Sequence, residues 1–283
     1  VLGAPRTIVD ALIEAYARVP REAFLGPGPW SIVRSDLSSE VTPDASLERI
    51  YRDVLVVIDA SKHLNNGQPS AHAKWMLAAA PRPGDSLLHV GCGTGYYTAI
   101  FAELVGKAGR VVAFDVEAEL VARARTNLAA WPQAEVSVGD ASELPGEFDV
   151  IYVNAGATHA RREWLAALRP GGRLVIPLTI HTPQFPTHGV GVVVAIEHTG
   201  ERWPLRVVTP VGIYDCVGAR DPDAEGQLAK LLGRMRGGDR TTLVVVRDAH
   251  ERTEKCLLHV DGFCVYSPPP PPPPPPPESP PPL

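Results

Sequence analysis

The 283-residue chain is short of several things, and each shortage removes a class of protein. Its four cysteines, Cys92, Cys216, Cys256 and Cys264, include no C-x-x-C pair. That excludes a disulfide framework, speaks against a zinc knuckle or any metal centre, and fits a reducing compartment. No apolar run approaches the roughly 18 residues of a membrane span. Residues 1–20 carry the pattern of an amphipathic helix rather than a signal peptide, so a soluble, cytoplasmic protein with no membrane partner is expected. Cationic excess is missing too: 27 Lys and Arg face 32 Asp and Glu, a net charge of -5. Without a broad basic surface, no nucleic-acid partner is expected.

What is present is an ordinary globular composition, 45% hydrophobic, ending in a run of prolines from 268 onward. Proline donates no backbone hydrogen bond, so residues 267–283 predict an extended polyproline II tail, either a recognition peptide or a spacer, with no partner named by the sequence. Ahead of it, residues 7–18 read as a helix. Val19–Ser61 is broken by prolines and glycines into a loop-rich cap, with a strand at Val54–Ile58.

From Ser70 the pattern becomes regular. A helix over Ser70–Ala80 leads into strands at 86–90, 110–114, 135–138, 150–153 and 173–177. Helices at 97–105, 117–130 and 160–168 alternate with them. Stripes such as Ile100, Phe101 and Leu104, or Leu120, Val121, Ala124 and Leu128, give each helix one apolar face. Such alternation predicts an α/β fold with a parallel sheet and helices on both faces. Beyond Gly189 strands dominate (190–196, 205–211, 243–246, 256–260 and 263–265), with one helix at 224–232 and a turn at Asp261-Gly262. The expected organisation is a cap over 1–80, a cofactor core over 81–200, a β-rich C-terminal extension over 201–266 and the tail over 267–283.

A strand runs into Gly91-Cys92-Gly93-Thr94-Gly95, and a helix follows at once. Glycines allow the tight turn and the close approach of a ligand, although a tight turn alone would ask for them as well. Asp115 closes the second strand, where an acid can accept hydrogen bonds from a ribose diol. Asp140 closes the third, within reach of an adenine edge; each is also an ordinary strand-ending turn residue. A dinucleotide fingerprint needs a third glycine at position 96, which is Tyr96. The G-x-G-x-G spacing suits an adenosine ligand without phosphates, and S-adenosyl-L-methionine (SAM) is the commonest.

The chain resembles the protein-L-isoaspartate O-methyltransferase family over about residues 15–180. The likeness rests on VPREAFL (Val19–Leu25), Tyr51 with Asp53 and Leu55, QPS (Gln68–Ser70), PGD (Pro83–Asp85) and the glycine loop. It continues through AFDVEAEL (113–120), VGDAS (138–142), FDVIYVNAGA (148–157) and LRPGGRLVIPL (168–178). It implies a Rossmann-like SAM-dependent methyltransferase sheet, with the cofactor held by Gly91, Gly93, Gly95, Asp115 and Asp140. Their neighbours Cys92, Thr94, Val116, Ala141 and Asn154 complete that set. It also implies methyl transfer to a protein or peptide carboxylate, the isoaspartyl one in this family. Because a carboxylate is ionised at neutral pH, alignment and exclusion of water suffice and no general base is needed.

One stretch departs from the family. Aligning on Gln68-Pro69 sets Gly67 where the family keeps an active-site serine, with Asn65 and Asn66 before it and Ser70 as the nearest hydroxyl. These four residues are the candidate catalytic set, the amides being able to orient a carboxylate through N–H donors. An Asn-Gly turn with no further role is the alternative. His72 reads as a partly buried helix residue or as a base. Arg220 reads as a carboxylate ligand or as a surface residue paired with Asp221 or Asp223. The segment Val211–Asp221 is expected, with the cap, to shape a substrate pocket over the carboxyl edge of the sheet. The departure leaves two alternatives beside carboxyl methylation: another small-molecule or peptide acceptor, or a SAM-binding module without turnover. No Asn-Pro-Pro-Tyr motif for amine methylation is present.

Overall fold

The computed structural model describes residues 6–34, 38–62, 64–236, 243–246, 251–260 and 262–267. The proline tail and Asp261 of the expected C-terminal turn lie outside these. A first helix, α1 (Arg6–Arg18), precedes a small antiparallel sheet of β1 (Ser31–Val33), β2 (Ser39–Val41), β3 (Leu55–Asp59) and β4 (Leu64–Asn65), in the order β2-β1-β3-β4. Then comes α2 (Pro69–Ala79), with proline at its first turn, where no N–H is required.

Among the described residues the main sheet has ten strands. Its parallel half holds β5 (Ser86–Val90), β6 (Arg110–Asp115), β7 (Ala134–Val138), β8 (Phe148–Val153) and the start of β9 (Leu168–Thr182). The connecting helices are α3 (Tyr96–Val105), α4 (Ala118–Asn127) and α5 (Arg162–Ala167). Antiparallel strands β10 (Phe185–Glu197), β11 (Arg202–Ile213), β12 (Leu243–Val246), β13 (Cys256–Val260) and β14 (Phe263–Tyr266) continue the same sheet, and α6 (Pro222–Arg236) precedes β12. The strand order is β13-β14-β12-β11-β10-β9-β8-β5-β6-β7. The C-terminal strands thus add edge to edge onto the parallel half.

Both faces are covered, as the double-sided apolar strands require. On one face α1 to α4 bury Trp75, Met76, Tyr97, Phe101, Val121 and Leu128. On the other, α5 and α6 bury Trp164, Leu228 and Leu231 against Phe263. Each fully buried side chain of this size stabilises the fold by about 1.5–3 kcal/mol.

The helix expected over 160–168 is only six residues long, and Leu168 is already strand. Leu168 pairs with Phe148, and Gly171, at φ +77°, bends the chain into a strand that runs on to Thr182 against β10. Sheet pairing overrides the helical pattern there.

Candidate functional site: two adjoining pockets

Strands β5, β6, β7 and β8 deliver their carboxyl ends to one cleft, the usual ligand position of an open α/β sheet. Among the residues expected from the sequence, Gly91, Gly93, Asp115, Val116, Asp140 and Asn154 line it. Gly91 sits at φ +78°, and a Cβ on it would meet the Asn154 carbonyl oxygen at 3.1 Å. Gly93, at φ +57°, faces Ile58, whose Cδ1 would be in van der Waals contact with an added Cβ at 3.5 Å. Any side chain there would begin to fill the cleft. Asp115 is buried; its Oδ2 accepts the Gly93 N–H at 2.7 Å and its Oδ1 the Glu117 N–H at 3.0 Å. Burial nonetheless raises its pKa. Asp140 accepts the Ser142 N–H at 3.0 Å and Arg161 Nη1 at 2.9 Å. Hydrogen bonds from Ser142, then Arg161, hold its pKa at about 2, so it is ionised at neutral pH.

Cys92, Thr94, Gly95 and Ala141 stand behind the cleft rather than in its wall. The Cys92 thiol is buried and its pKa pushed up. Thr94 is buried, its carbonyl accepting Asn127 Nδ2 at 2.9 Å. Gly95, at φ +92°, lets α3 start against Leu128, 3.0 Å from where a Cβ would be. Ala141 accepts the Trp164 indole N–H at 2.9 Å. All four shape the loop ends from within.

A further wall comes from the segment after β11, within the stretch Val211–Asp221 expected to shape a pocket over this edge of the sheet. Tyr214, Asp215, Cys216 and Val217 close the cleft. The segment is laced to the exit of β8: Gly156 N–H donates to Tyr214 O at 2.7 Å, and Cys216 N–H to Gly156 O at 2.9 Å. Gly218, at φ +77°, passes so near Arg161 and Asp140 that a Cβ would fall 2.5 and 2.8 Å from their side-chain atoms. Arg220 is neither a free carboxylate ligand nor paired with Asp221 or Asp223. It is largely buried and bridges Asp215 at 3.2 Å and Glu225 at 2.9 Å, bracing that wall from outside.

A second pocket adjoins the first, walled by Gly67, His72 and Trp75 on one side and by Val211 and Ile213 on the other. Three residues belong to both pockets: Asn65, Asn154 and Tyr214. Asn65 Oδ1 accepts the Gly67 N–H at 2.9 Å, and its Nδ2 donates to the Tyr214 hydroxyl at 3.4 Å. Asn66 points the other way and is buried, its Oδ1 held by Arg21 Nε at 3.2 Å. Arg21, itself buried, also donates to the carbonyls of Ile50, Arg52, Val54 and Gly67 and so rivets the loop to the cap. Ser70 lies elsewhere: its Oγ and N–H both bond Asp53, at 2.7 and 2.8 Å, and it faces neither pocket. The backbone of the Asn-Gly turn therefore reaches the site, and the nearest hydroxyl does not.

His72 is buried, stacks on Tyr97 with ring centroids 3.6 Å apart and shares a 2.8 Å hydrogen bond with the Tyr152 hydroxyl. Burial drives its pKa well down, so it is neutral.

The family model for protein-L-isoaspartate(D-aspartate) O-methyltransferase matches residues 7–187. A protein-L-isoaspartate O-methyltransferase of Ignicoccus hospitalis is 32% identical over 209 residues, covering 72% of this chain and 87% of that protein. Protein-L-isoaspartate O-methyltransferase 2 of Archaeoglobus fulgidus is 43% identical over 102 residues, 34% of this chain and 47% of its own length. Among solved structures, a protein-L-isoaspartate O-methyltransferase superposes with a TM-score of 0.61 at 19% identity, covering 93% of this chain and 85% of that one.

Proposed function

The chain belongs to the protein-L-isoaspartate(D-aspartate) O-methyltransferase family of SAM-dependent methyltransferases, and from that premise we propose that it methylates an isoaspartyl carboxylate of a protein or peptide. The observation that carries the reading is the meeting of the two pockets at Asn65, Asn154 and Tyr214. The cleft at the strand ends fits SAM: Gly91 and Gly93 line it with backbone that carries no side chain, and its strand ends offer Asp115 and Asp140 for the adenosine. When bound, SAM supplies a methyl group carried on a sulfonium. The second pocket takes the acceptor.

In this reading the chain's own groups do little covalent work. The acceptor carboxylate is already ionised, so neutral His72 need take no proton. The Asn65 amide and the Tyr214 hydroxyl offer donors at the junction and orient a carboxylate oxygen toward the cofactor cleft. The wall from Tyr214 to Val217 keeps water from the reacting atoms. Residues 1–80 supply the acceptor loop, 81–200 the cofactor core and 201–266 the wall and sheet extension. The four cysteines, none of them in a disulfide, support a cytoplasmic location.

A second reading, a small-molecule carboxylate acceptor, is favoured by one observation: Gly67 leaves the second pocket without the hydroxyl the family carries. Labelled SAM with an isoaspartyl peptide and its aspartyl twin separates the two. The first reading expects base-labile methyl label in the isoaspartyl peptide alone. Label in neither peptide, with SAM still bound, overturns the first.

A further inference from the structure

The C-terminal hairpin, which lines neither pocket, brings three soft ligands together. On β13, Cys256 and His259 are three residues apart, a spacing that regular alternation sends to opposite faces. The register with β14 shifts between them, from Cys256 opposite Tyr266 to Leu258 opposite Val265. Leu257 is thus an extra residue in β13, and this bulge rotates Cys256 onto the face of His259. Cys264 shares that face, since it pairs directly with His259. Leu258, Phe263 and Val265 take the opposite face and join the core.

The ligand atoms of Cys256, His259 and Cys264 lie within 4.8 Å of one another. Zinc bonds of about 2.3 Å to sulfur and 2.0–2.1 Å to nitrogen set tetrahedral ligands about 3.5–3.8 Å apart, so a contraction of about 1 Å closes the set. The surroundings suit such a role. Thr253 N–H donates to Cys256 Sγ at 3.3 Å, as an outer-shell group does for a thiolate. Gln227 fixes the His259 backbone from both sides, accepting its N–H at 2.9 Å and donating to its carbonyl at 3.3 Å. Both cysteines are buried while His259 is half-buried, which leaves an approach from the histidine side.

We propose that Cys256, His259 and Cys264 bind one zinc ion, with water as fourth ligand, and that the ion clamps the terminal hairpin of the sheet. Two thiolates and one imidazole are a donor set that suits zinc, and binding releases the two thiol protons to solvent. A C-x-x-C pattern misses this site because the two thiols stand on facing strands.

The test uses the full chain under reducing conditions. Cobalt(II), titrated as a zinc surrogate, is expected to bind one per chain with a thiolate-to-cobalt charge-transfer band that zinc abolishes. Cys264→Ser or His259→Ala should each weaken binding by at least about 100-fold, more than loss of an outer-shell partner costs. Absence of the band, or a band that survives the Cys256→Ser/Cys264→Ser double variant, overturns the proposal. A wild-type arm covers variants that fail to fold: zinc should slow alkylation of Cys256 and Cys264, followed by peptide mass spectrometry. Unchanged alkylation of both overturns the proposal as well.

Discussion

A Cβ on Gly67 would fall 2.4 Å from Nε2 of His72, so position 67 has no room for a side chain while His72 keeps its place. The backbone there is also left-handed, at φ +77°. The loop and the histidine fit each other as a pair.

Gly67→Ser is therefore expected to damage the enzyme rather than restore a family-like site. Strain at a positive φ costs about 1–3 kcal/mol, and displacement of His72 adds to it. A Gly67→Ser/His72→Ala double variant should lose less stability than the two single losses summed, because the clash is gone. Denaturant midpoints of the four proteins measure this coupling; strict additivity contradicts it.

Arg21→Met should destabilise the fold by about 3 kcal/mol or more, since each buried acceptor left without a donor costs about 1–3 kcal/mol. Arg21→Lys should rescue only part of that loss, because an ammonium offers three donors where the fork serves five acceptors. Urea unfolding reads both, and full rescue by lysine would show that charge rather than the fork holds the loop.

Tyr214→Phe removes a hydroxyl at the junction of the pockets while keeping the ring. One lost hydrogen bond of about 0.5–1.5 kcal/mol predicts an acceptor KM raised by roughly 2- to 12-fold. Affinity for S-adenosyl-L-homocysteine, the methyl-transfer product, should change less. Steady-state kinetics with calorimetry check the split; the reverse pattern would assign Tyr214 to the cofactor.

Asp140 gives the site a pH signature. Its folded pKa is held at about 2, below the ordinary value of 3.8. A depressed carboxylate pKa contributes stability that is present above pH 3.8 and lost as pH falls through 2. Asp140→Asn should therefore be less stable than wild type from pH 5 to 8, with the gap closing between pH 4 and pH 2. Thermal melts across that range measure it. A gap independent of pH would show that ionisation of Asp140 is not involved.

Much of the core was legible because its signals are local. The stripe of Ile100, Phe101 and Leu104 and the G-x-G-x-G turn set α3, β5 and the cleft within a few residues of chain. Val211–Asp221 was legible as a pocket-shaping segment, but its contact with the Asn-Gly turn was not, since Asn65 and Tyr214 meet across 149 residues and no periodicity connects them. Nor could composition choose between Asn65 and Asn66. Asn65 pairs with Val57 at the end of β4, and the next residue turns inward to Arg21. Ser70 was drawn into the site by sequence proximity, whereas Asp53 holds it at the start of α2. The Leu168 boundary was misread because helix and strand patterns overlap where sheet pairing decides.

The most direct measurement is peptide binding without turnover: calorimetric titration of the S-adenosyl-L-homocysteine complex with an isoaspartyl peptide and with its aspartyl twin. Adjoining pockets, one for each ligand, predict a ternary complex in which the isoaspartyl peptide binds at least about tenfold tighter, a difference of about 1.4 kcal/mol. Equal binding of the two peptides, or displacement of S-adenosyl-L-homocysteine by the isoaspartyl peptide, would contradict the account.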